Sequence, residues 1–458
     1  MLKQPTRSEL EAMTKPQLID LIELLFSKLN EMEKRIQELE SKLNVKATSK
    51  NSSVSPSSDL SRKRKKGNES NTYGPPKNHK GISRKISEKP DVIMPIKLEK
   101  CPRTGDKIQS KSQSFKRHQI LELEPAKVIV IEIQRQTTTG PDGKTVVAPN
   151  PVGVKKFSRI GPNLKAHISY LRFFLNTPWS GIWKYLKDLA GLKIGIGTLK
   201  NIFSELKHAV TDDYNKLKDE IASSPAVGCD ETGIHVNGKK WWIHVVRNAD
   251  TTVFSANKSR DHSVIQDILG KDFSGWLISD FWGGYSSKFY PDAKFQKCLA
   301  HLLRDIERVI EIEKANSSRW AQQLQDLFMD AIILKKFFRP ETEHYKNECL
   351  EKENRLESLL AEVSPTKSSA TLKKRLKKYQ HHLLNFLYND DLPFDNNGSE
   401  RDIRMIVTCR KISGAYKTED GIDTLAIVKS LLATYSKRGK EFIQKLREAF
   451  GVLQLDSG

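Results

Sequence analysis

The chain has 458 residues, 77 lysines and arginines against 56 aspartates and glutamates, and a formal net charge of +21. With 37% hydrophobic and 29% charged residues it is a foldable chain of about three domains, and its cationic excess points to a polyanionic partner, most simply nucleic acid. It has no run of 18 or more apolar residues, no signal-peptide core in MLKQPTRSELEAMTK, and five cysteines without a Cys-x-x-Cys pair, which excludes a membrane-spanning, secreted or disulfide-built protein and predicts a cytoplasmic, nucleoid-associated one.

The first predicted element is a zipper over residues 14–45. Leu18, Ile22, Leu25, Leu29, Met32, Ile36, Leu39 and Leu43 follow an unbroken alternation of four- and three-residue steps, the pattern of a coiled coil. Lys28 and Arg35 fall at g positions and Glu33 and Glu40 at the following e positions, so two parallel copies attract, and a homodimer is expected. Ile19, Leu21, Leu24 and Phe26 widen the apolar face, which also accommodates a higher oligomer. Thr14-Lys15-Pro16-Gln17 supplies a capping box. Residues 46–90 are rich in Ser, Asn, Lys and Pro and read as a flexible linker, whose run Arg62, Lys63, Arg64, Lys65 and Lys66 suits phosphate contact.

Residues 91–155 change to strand patterns at 92–96, 120–124 and 128–133, with a Pro-Asp-Gly turn at 141–143. Cys101-Pro102 looks like the opening of a zinc knuckle, but no second cysteine pair follows and His118 alone cannot complete a tetrahedral site. A small β module without zinc is expected. From 160 to 222 the spacing becomes helical, with helices at about 163–176, 179–190 and 198–209, Gly191 and Gly195 in the last turn and Thr198 as a cap. A helix-turn-helix with Lys200 and Asn201 on its DNA-reading helix fits this pattern, and so does a plain three-helix bundle.

Residues 225–300 predict strands at 226–236, 240–247 and 252–257, a helix near 262–269, strands at 275–279 and 294–299, and a helix from His301. Asn237-Gly238 marks a tight hairpin. Three antiparallel strands, a helix and further strands is the order of a ribonuclease H-like sheet. Asp230 lies inside a strand, where Asp is depleted, and Asp280 ends the neighbouring one, so their carboxylates converge and repel unless a cation relieves them. Hard oxygen donors suit Mg²⁺ or Mn²⁺. A third acid, Glu400, stands in Asp395-Asn396-Asn397-Gly398-Ser399-Glu400-Arg401-Asp402-Ile403-Arg404, at capping-box spacing from Asn397, opening a helix through Val407. Each acid has a plainer reading: a cap for Glu400, an Asx-turn for Asp280, a solvent-facing strand acid for Asp230. Glu231 faces away from Asp230 by strand alternation.

These motifs, with Asp230-Glu231-Thr232, Asp280 followed by Gly284-Tyr285, Cys298-x-x-His301-x-x-Arg304, Arg410-Lys411 and Gly414, resemble the insertion sequence 66 (TnpC-like) family of DDE transposases over nearly the whole chain. The resemblance implies an α+β multidomain protein. Its ribonuclease H-like catalytic core occupies 225–304 and 393–435, is interrupted by a helical insertion at 305–392, and is followed by a C-terminal helix and tail at 436–458. It implies that Asp230, Asp280 and Glu400 form the catalytic, metal-holding triad. Two metal ions would activate water or a DNA 3′-hydroxyl, for cleavage and strand transfer. Arg401, Arg404, Arg410 and Lys411 are candidates to hold DNA phosphates, and His301 is a candidate for support of the site. Element ends and target DNA are the expected partners, with room for accessory transposition proteins. A non-catalytic DNA-binding regulator and a ribonuclease H-like nuclease remain the alternatives. The family's two cysteine pairs near Cys101 are missing here.

Overall fold

A computed structural model describes residues 158–313, 319–338, 340–363 and 366–451, with short stretches and scattered positions before residue 158. Its contacts divide the chain into one unit of Met1–Arg62, Ile131–Lys184 and Lys193–Gly458 and another of Lys63–Val130 and Tyr185–Leu192. Within the first, residues 17–18, 21–22 and 25–30 are helical, and the Thr14 N–H donates to Gln17 Oε1 at 2.9 Å, the half of the capping box made by Gln17, while the Thr14 hydroxyl donates to the same oxygen at 3.0 Å. The rest of the zipper beyond residue 30, the basic run 62–66 and Cys101 lie outside the described residues. The hairpin at the Pro-Asp-Gly turn forms between β1 (Thr137–Thr139) and β2 (Thr145–Val147). The strand expected at 128–133 does not: those residues form no ladder among the described residues.

Three helices follow: α1 (Pro162–Phe173), α2 (Trp179–Ala190) and α3 (Ile196–Ala222). The third is far longer than the helix expected at 198–209, because nothing stops it. Its apolar stripe continues through Val210, Leu217 and Ile221, all buried, and Gly195 rather than Thr198 stands at its N-cap. Residues 185–192 are the end of α2 and its turn, where Gly191 takes a left-handed φ of 64°.

The heart of the structure is a five-stranded sheet of β3 (Ala226–Val236), β4 (Lys239–Arg247), β5 (Thr252–Asn257), β6 (Trp276–Ser279) and β7 (Lys294–Lys297), in the order β5-β4-β3-β6-β7. β3, β4 and β5 pair antiparallel, while β6 and β7 run parallel to β3. Asn237 and Gly238 turn β3 into β4 with positive φ angles of 48° and 73°, the requirement of a two-residue hairpin. α4 (Ser263–Leu269) links β5 to β6, and α5 (Leu299–Glu313) starts two residues after β7. α6 (Arg319–Phe337), α7 (Glu343–Ala361) and α8 (Lys367–Tyr379) share an apolar core with α5. The chain then returns to the sheet with α9 (Asn397–Ser413), α10 (Glu419–Lys437) and α11 (Phe442–Phe450).

Both edges of the sheet are closed by polar side chains, which denies another chain a free ladder. On β5, the N–H groups of Thr252 and Phe254 donate to Thr434 Oγ1 at 3.0 Å and Ser430 Oγ at 2.8 Å, one turn apart on α10. On β7, Asn385 Nδ2 donates to Phe295 O at 2.9 Å, and the Gln296 side chain fastens the same segment by donating to Leu383 O and accepting from the Phe386 N–H, both at 3.0 Å.

One glycine sets how α9 meets the sheet. A Cβ on Gly228, in the middle of β3, would lie 2.6 Å from Ser399 Oγ and 2.7 Å from Asn396 Oδ1. Neither atom can yield cheaply. Ser399 Oγ donates to Asn396 Oδ1 at 2.7 Å, and Asn396 Nδ2 donates to Cys229 O at 2.7 Å, all of it buried. Further along, Asp402 Oδ2 gathers Arg247 Nε at 3.3 Å, the Thr252 hydroxyl at 2.7 Å and Lys437 Nζ at 2.7 Å, clamping α9 to β4, β5 and α10. Gly228→Ala should lower stability by about 1–3 kcal/mol in chemical denaturation, whereas the same change at open Gly283 should do so by less than about 0.5 kcal/mol. Equal effects would show that the seat is loose.

Candidate active site

The register of the parallel strands aligns the first two acids. Gly228 pairs with Ile278, so two residues on Asp230 comes level with Asp280, on the same face of adjacent strands spaced about 4.8 Å apart. Each carboxylate is oriented by the backbone just after it: Asp230 Oδ1 accepts from the Glu231 N–H at 2.8 Å and Asp280 Oδ1 from the Trp282 N–H at 2.9 Å. The Asx-turn at Asp280 is therefore real, and leaves its second oxygen for other work. Burial and the neighbouring Glu231 carboxylate, reinforced by the charges of Asp280 and Glu400, push Asp230 up to about 8 against the pull of the Glu231 N–H.

Glu400 does not cap its helix. Asn396 is the N-cap and makes no side-chain cap bond, while Asn397 turns back to Asp395, its N–H and Nδ2 donating at 3.0 and 2.6 Å. The helix also runs to Ser413, past the expected Val407. Freed from capping, the Glu400 carboxylate accepts from Arg304 Nη2 at 3.1 Å and lies 3.6 Å from His301 Nε2, both on α5. Burial, with the Arg304 guanidinium, holds His301 below its ordinary value, and its Nδ1 is buried without a hydrogen-bond partner. Cys298, ahead of α5, accepts the Asn396 N–H on its Sγ at 3.1 Å. The Cys-x-x-His-x-x-Arg segment thus grips the loop and first turn of the helix that carries Glu400.

Glu231 points to the other side of β3, as expected, yet it belongs to the same electrostatic cluster. Its carboxylate accepts from Arg260 Nε at 2.8 Å and the Tyr285 hydroxyl at 2.6 Å, and burial raises its pKa despite both partners. Lys297 is a group the sequence reading missed. Fully buried, it donates to Ser279 Oγ at 2.9 Å, Asp280 O at 2.8 Å and Tyr285 O at 3.0 Å, pinning the turn that presents Asp280, and burial lowers it to about 8. The signal was present: a lysine that ends a strand and leads straight into Cys298-Leu299 needs a specific partner once buried. Gly228 was legible too, since glycine inside a strand marks close approach of another backbone or side chain.

The expected DNA contacts fall into three groups. Lys200 and Asn201 are exposed on the first turns of α3, and Arg401 and Arg404 on the outer face of α9. Lys411 is exposed near the end of α9. Arg410 is turned inward, donating to Gly233 O and, at 3.4 Å, to the Thr232 hydroxyl, so its guanidinium serves the helix–strand junction. The run Arg62 to Lys66 lies outside the described residues.

Asp230 and Asp280 have the chemistry of hard-cation ligands, and among the described residues no lysine, arginine or histidine forms an ion pair with Asp230. Among those residues, too, no three His, Cys, Asp or Glu side chains stand close enough together to hold one metal ion; Glu400 gives its Oε1 to Arg304 instead. The oxygen donors of the two aspartates suit a hard cation, whereas Glu400 Oε1 is engaged by Arg304. No helix among the described residues is long and apolar enough to cross a membrane.

Comparison with known proteins adds a family. Residues 158–424, which include all three acids, match the family described as "Transposase IS66 family". Residues 2–85 match a family of unknown function, DUF6444. An uncharacterised protein of Sinorhizobium fredii, y4jO, is 36% identical over 78 residues, 17% of this chain. The match spans about a quarter of that protein, 24% of its length.

The raised Asp230 gives a signed pH dependence. The folded protein keeps this proton up to about 8, while an unfolded chain releases it near 3.8, so the stabilisation is full below the lower value and is lost as pH rises through the upper one. In buffer free of divalent cations, the thermal midpoint of the wild type should fall relative to that of Asp230→Asn between about pH 5 and about pH 8. Parallel curves for the two proteins would mean that Asp230 is ionised throughout.

Proposed function

From the chain's membership of the IS66 transposase family, which a match over more than half of its length shows, we propose that it is a DDE-type transposase that binds element ends and cleaves and joins DNA strands with the help of a divalent metal. Asp230, Asp280 and Glu400 are its catalytic residues. The observation that carries this reading is the level alignment of Asp230 and Asp280 on adjacent parallel strands, with Glu400 near enough for its charge to raise Asp230. The strand order, with three antiparallel strands followed by two parallel to the first, is the order expected of a ribonuclease H-like core and supports this reading. The helices between 299 and 392 interrupt it between the second and third acids.

Magnesium or manganese, when bound, supplies Lewis-acid stabilisation of the phosphodiester and a nucleophilic oxygen at neutral pH. The chain supplies the rest. Asp230, its proton released to solvent, would hold the metal together with Asp280, which the backbone N–H of Trp282 and Lys297 beneath it keep in place. Glu400 exchanges Arg304 for the site, which frees the guanidinium to face a DNA phosphate. Arg401 and Arg404 offer exposed guanidinium groups beside Glu400, and Lys200 and Asn201 offer polar contacts on α3. Such contacts hold the DNA backbone rather than read its sequence. No side chain attacks the DNA, so no covalent protein–DNA intermediate forms.

Two ends must be brought together, and the N-terminal helix offers the means. Its capped start and the exposed Ile22, Leu25, Phe26 and Leu29 support a zipper through which two copies pair. The basic linker then adds phosphate contacts.

Purified protein incubated with labelled element ends, a target plasmid and Mg²⁺ should yield cut and joined products, and Asp280→Asn or Glu400→Gln should lower both yields by at least about 100-fold without loss of end binding. Cutting without joining would leave a nuclease. Binding with no cutting by the wild type would leave a regulator.

A further inference from the structure

A stack of side chains beside Asp280 takes no part in the reaction outlined above. Trp242 of β4 and Trp282, two residues past Asp280, are each half-buried, and the Arg260 guanidinium carbon lies 4.9 Å from the ring centroid of both. The Lys240 ammonium stands 4.6 Å from the Trp242 centroid. The stack is tied directly to Asp280 and, on the opposite face of β3 from Asp230, to Glu231. Arg260 Nε donates to Glu231, next to Asp230, at 2.8 Å, and the Trp282 N–H donates to Asp280 Oδ1 at 2.9 Å.

The orientation of Trp282 is fixed on several sides. Its ring lies across Gly284, where a Cβ would strike the indole, and Tyr285 meets it edge-on at 5.0 Å. Tyr285 is itself locked by burial and by its hydrogen bond to Glu231. A tryptophan placed for core packing is covered by apolar neighbours. Here two partly open indoles are arrayed around a planar cation, beside carboxylates. Flat π faces together with positive charge are the combination that receives an unpaired base and its phosphate.

We infer that the Trp242–Arg260–Trp282 stack is a binding site for an unpaired nucleobase, that of the nucleotide adjoining the phosphodiester held at Asp230 and Asp280. The inference rests on the DNA-processing reading above and deepens it. Bases inside a duplex have both faces covered, so the site takes a base from a strand end or one that has left the helix. Recognition is through stacking, so every base is accepted. Arg260 supplies charge for the attached phosphate, and its bond to Glu231 sets the stack's distance from the acids.

The test uses the full-length protein in calcium buffer, so that the DNA is not cut. The probe is a duplex with a short single-stranded 3′ tail carrying one 2-aminopurine, compared with the same duplex bearing an abasic tail. Wild type should quench the 2-aminopurine emission on binding, and Trp282→Phe should retain the quenching. Trp282→Ala should lose it and bind the base-bearing tail about 10- to 100-fold more weakly, while binding the abasic tail as the wild type does. That dependence on the base is something a merely structural role would not produce. Equal weakening on both tails, or none on either, overturns the inference. Wild-type binding of the duplex without quenching overturns the inference alone, and failure of the wild type to bind any of these DNAs overturns the DNA reading along with it.

Discussion

Two carboxylates held level on neighbouring parallel strands are an arrangement that costs energy, and the structure around them is best understood as a response to that cost. At the spacing of adjacent strands, like charges repel by an amount that grows steeply as water is excluded. Glu231 is offset by Arg260, Glu400 by Arg304, and the turn at Asp280 by Lys297. Among the described residues Asp230 is met only by a backbone N–H, and its raised pKa expresses the remaining deficit. Positive charges therefore surround the cluster, and its centre is where the proposed cation would bind.

The third acid comes from 120 residues further along the chain, so its position depends on how α9 is seated rather than on strand register. Three features fix that seat. Gly228 lets Asn396 and Ser399 lie directly on β3, Cys298 takes the Asn396 N–H, and Asp402 binds the helix to β4, β5 and α10. The helical stretch from 299 to 392 can therefore intervene without loosening the approach of Glu400. The Arg304–Glu400 pair is half-buried on both sides, so it can exchange partners at a modest energetic cost.

Much of this was legible in the sequence where local chemistry and long-range packing agree. The bounds of β3 and β5 follow from their apolar runs and flanking turns, and Asn237-Gly238 marks the hairpin because the turn itself needs those residues. Asp230 stood out since a strand interior disfavours it. Local reading failed where a residue's partner lies far off in the chain. Spacing made Glu400 a cap of Asn397, but Asn397 bonds to Asp395, and Glu400 is claimed by Arg304, whose closeness no local pattern reveals. The sequence reading stops α3 short because the turn glycines draw attention to its start, while the apolar stripe that prolongs it is satisfied by distant elements, α10, α4, α11 and β5. The strand expected at 128–133 has the right composition, but composition alone does not supply a ladder partner. Lys297 and Gly228 carried signals that mean little until the neighbouring elements are known.

The claim that Asp230 and Asp280 wait for a divalent cation is tested most directly by Mn²⁺ binding, followed by electron paramagnetic resonance as the pH is raised. The ion must displace the Asp230 proton, so wild-type affinity should increase up to about pH 8 and level off above it, and Asp230→Asn should abolish the increase along with most of the binding. Equal affinity and the same pH course in both proteins would contradict the account.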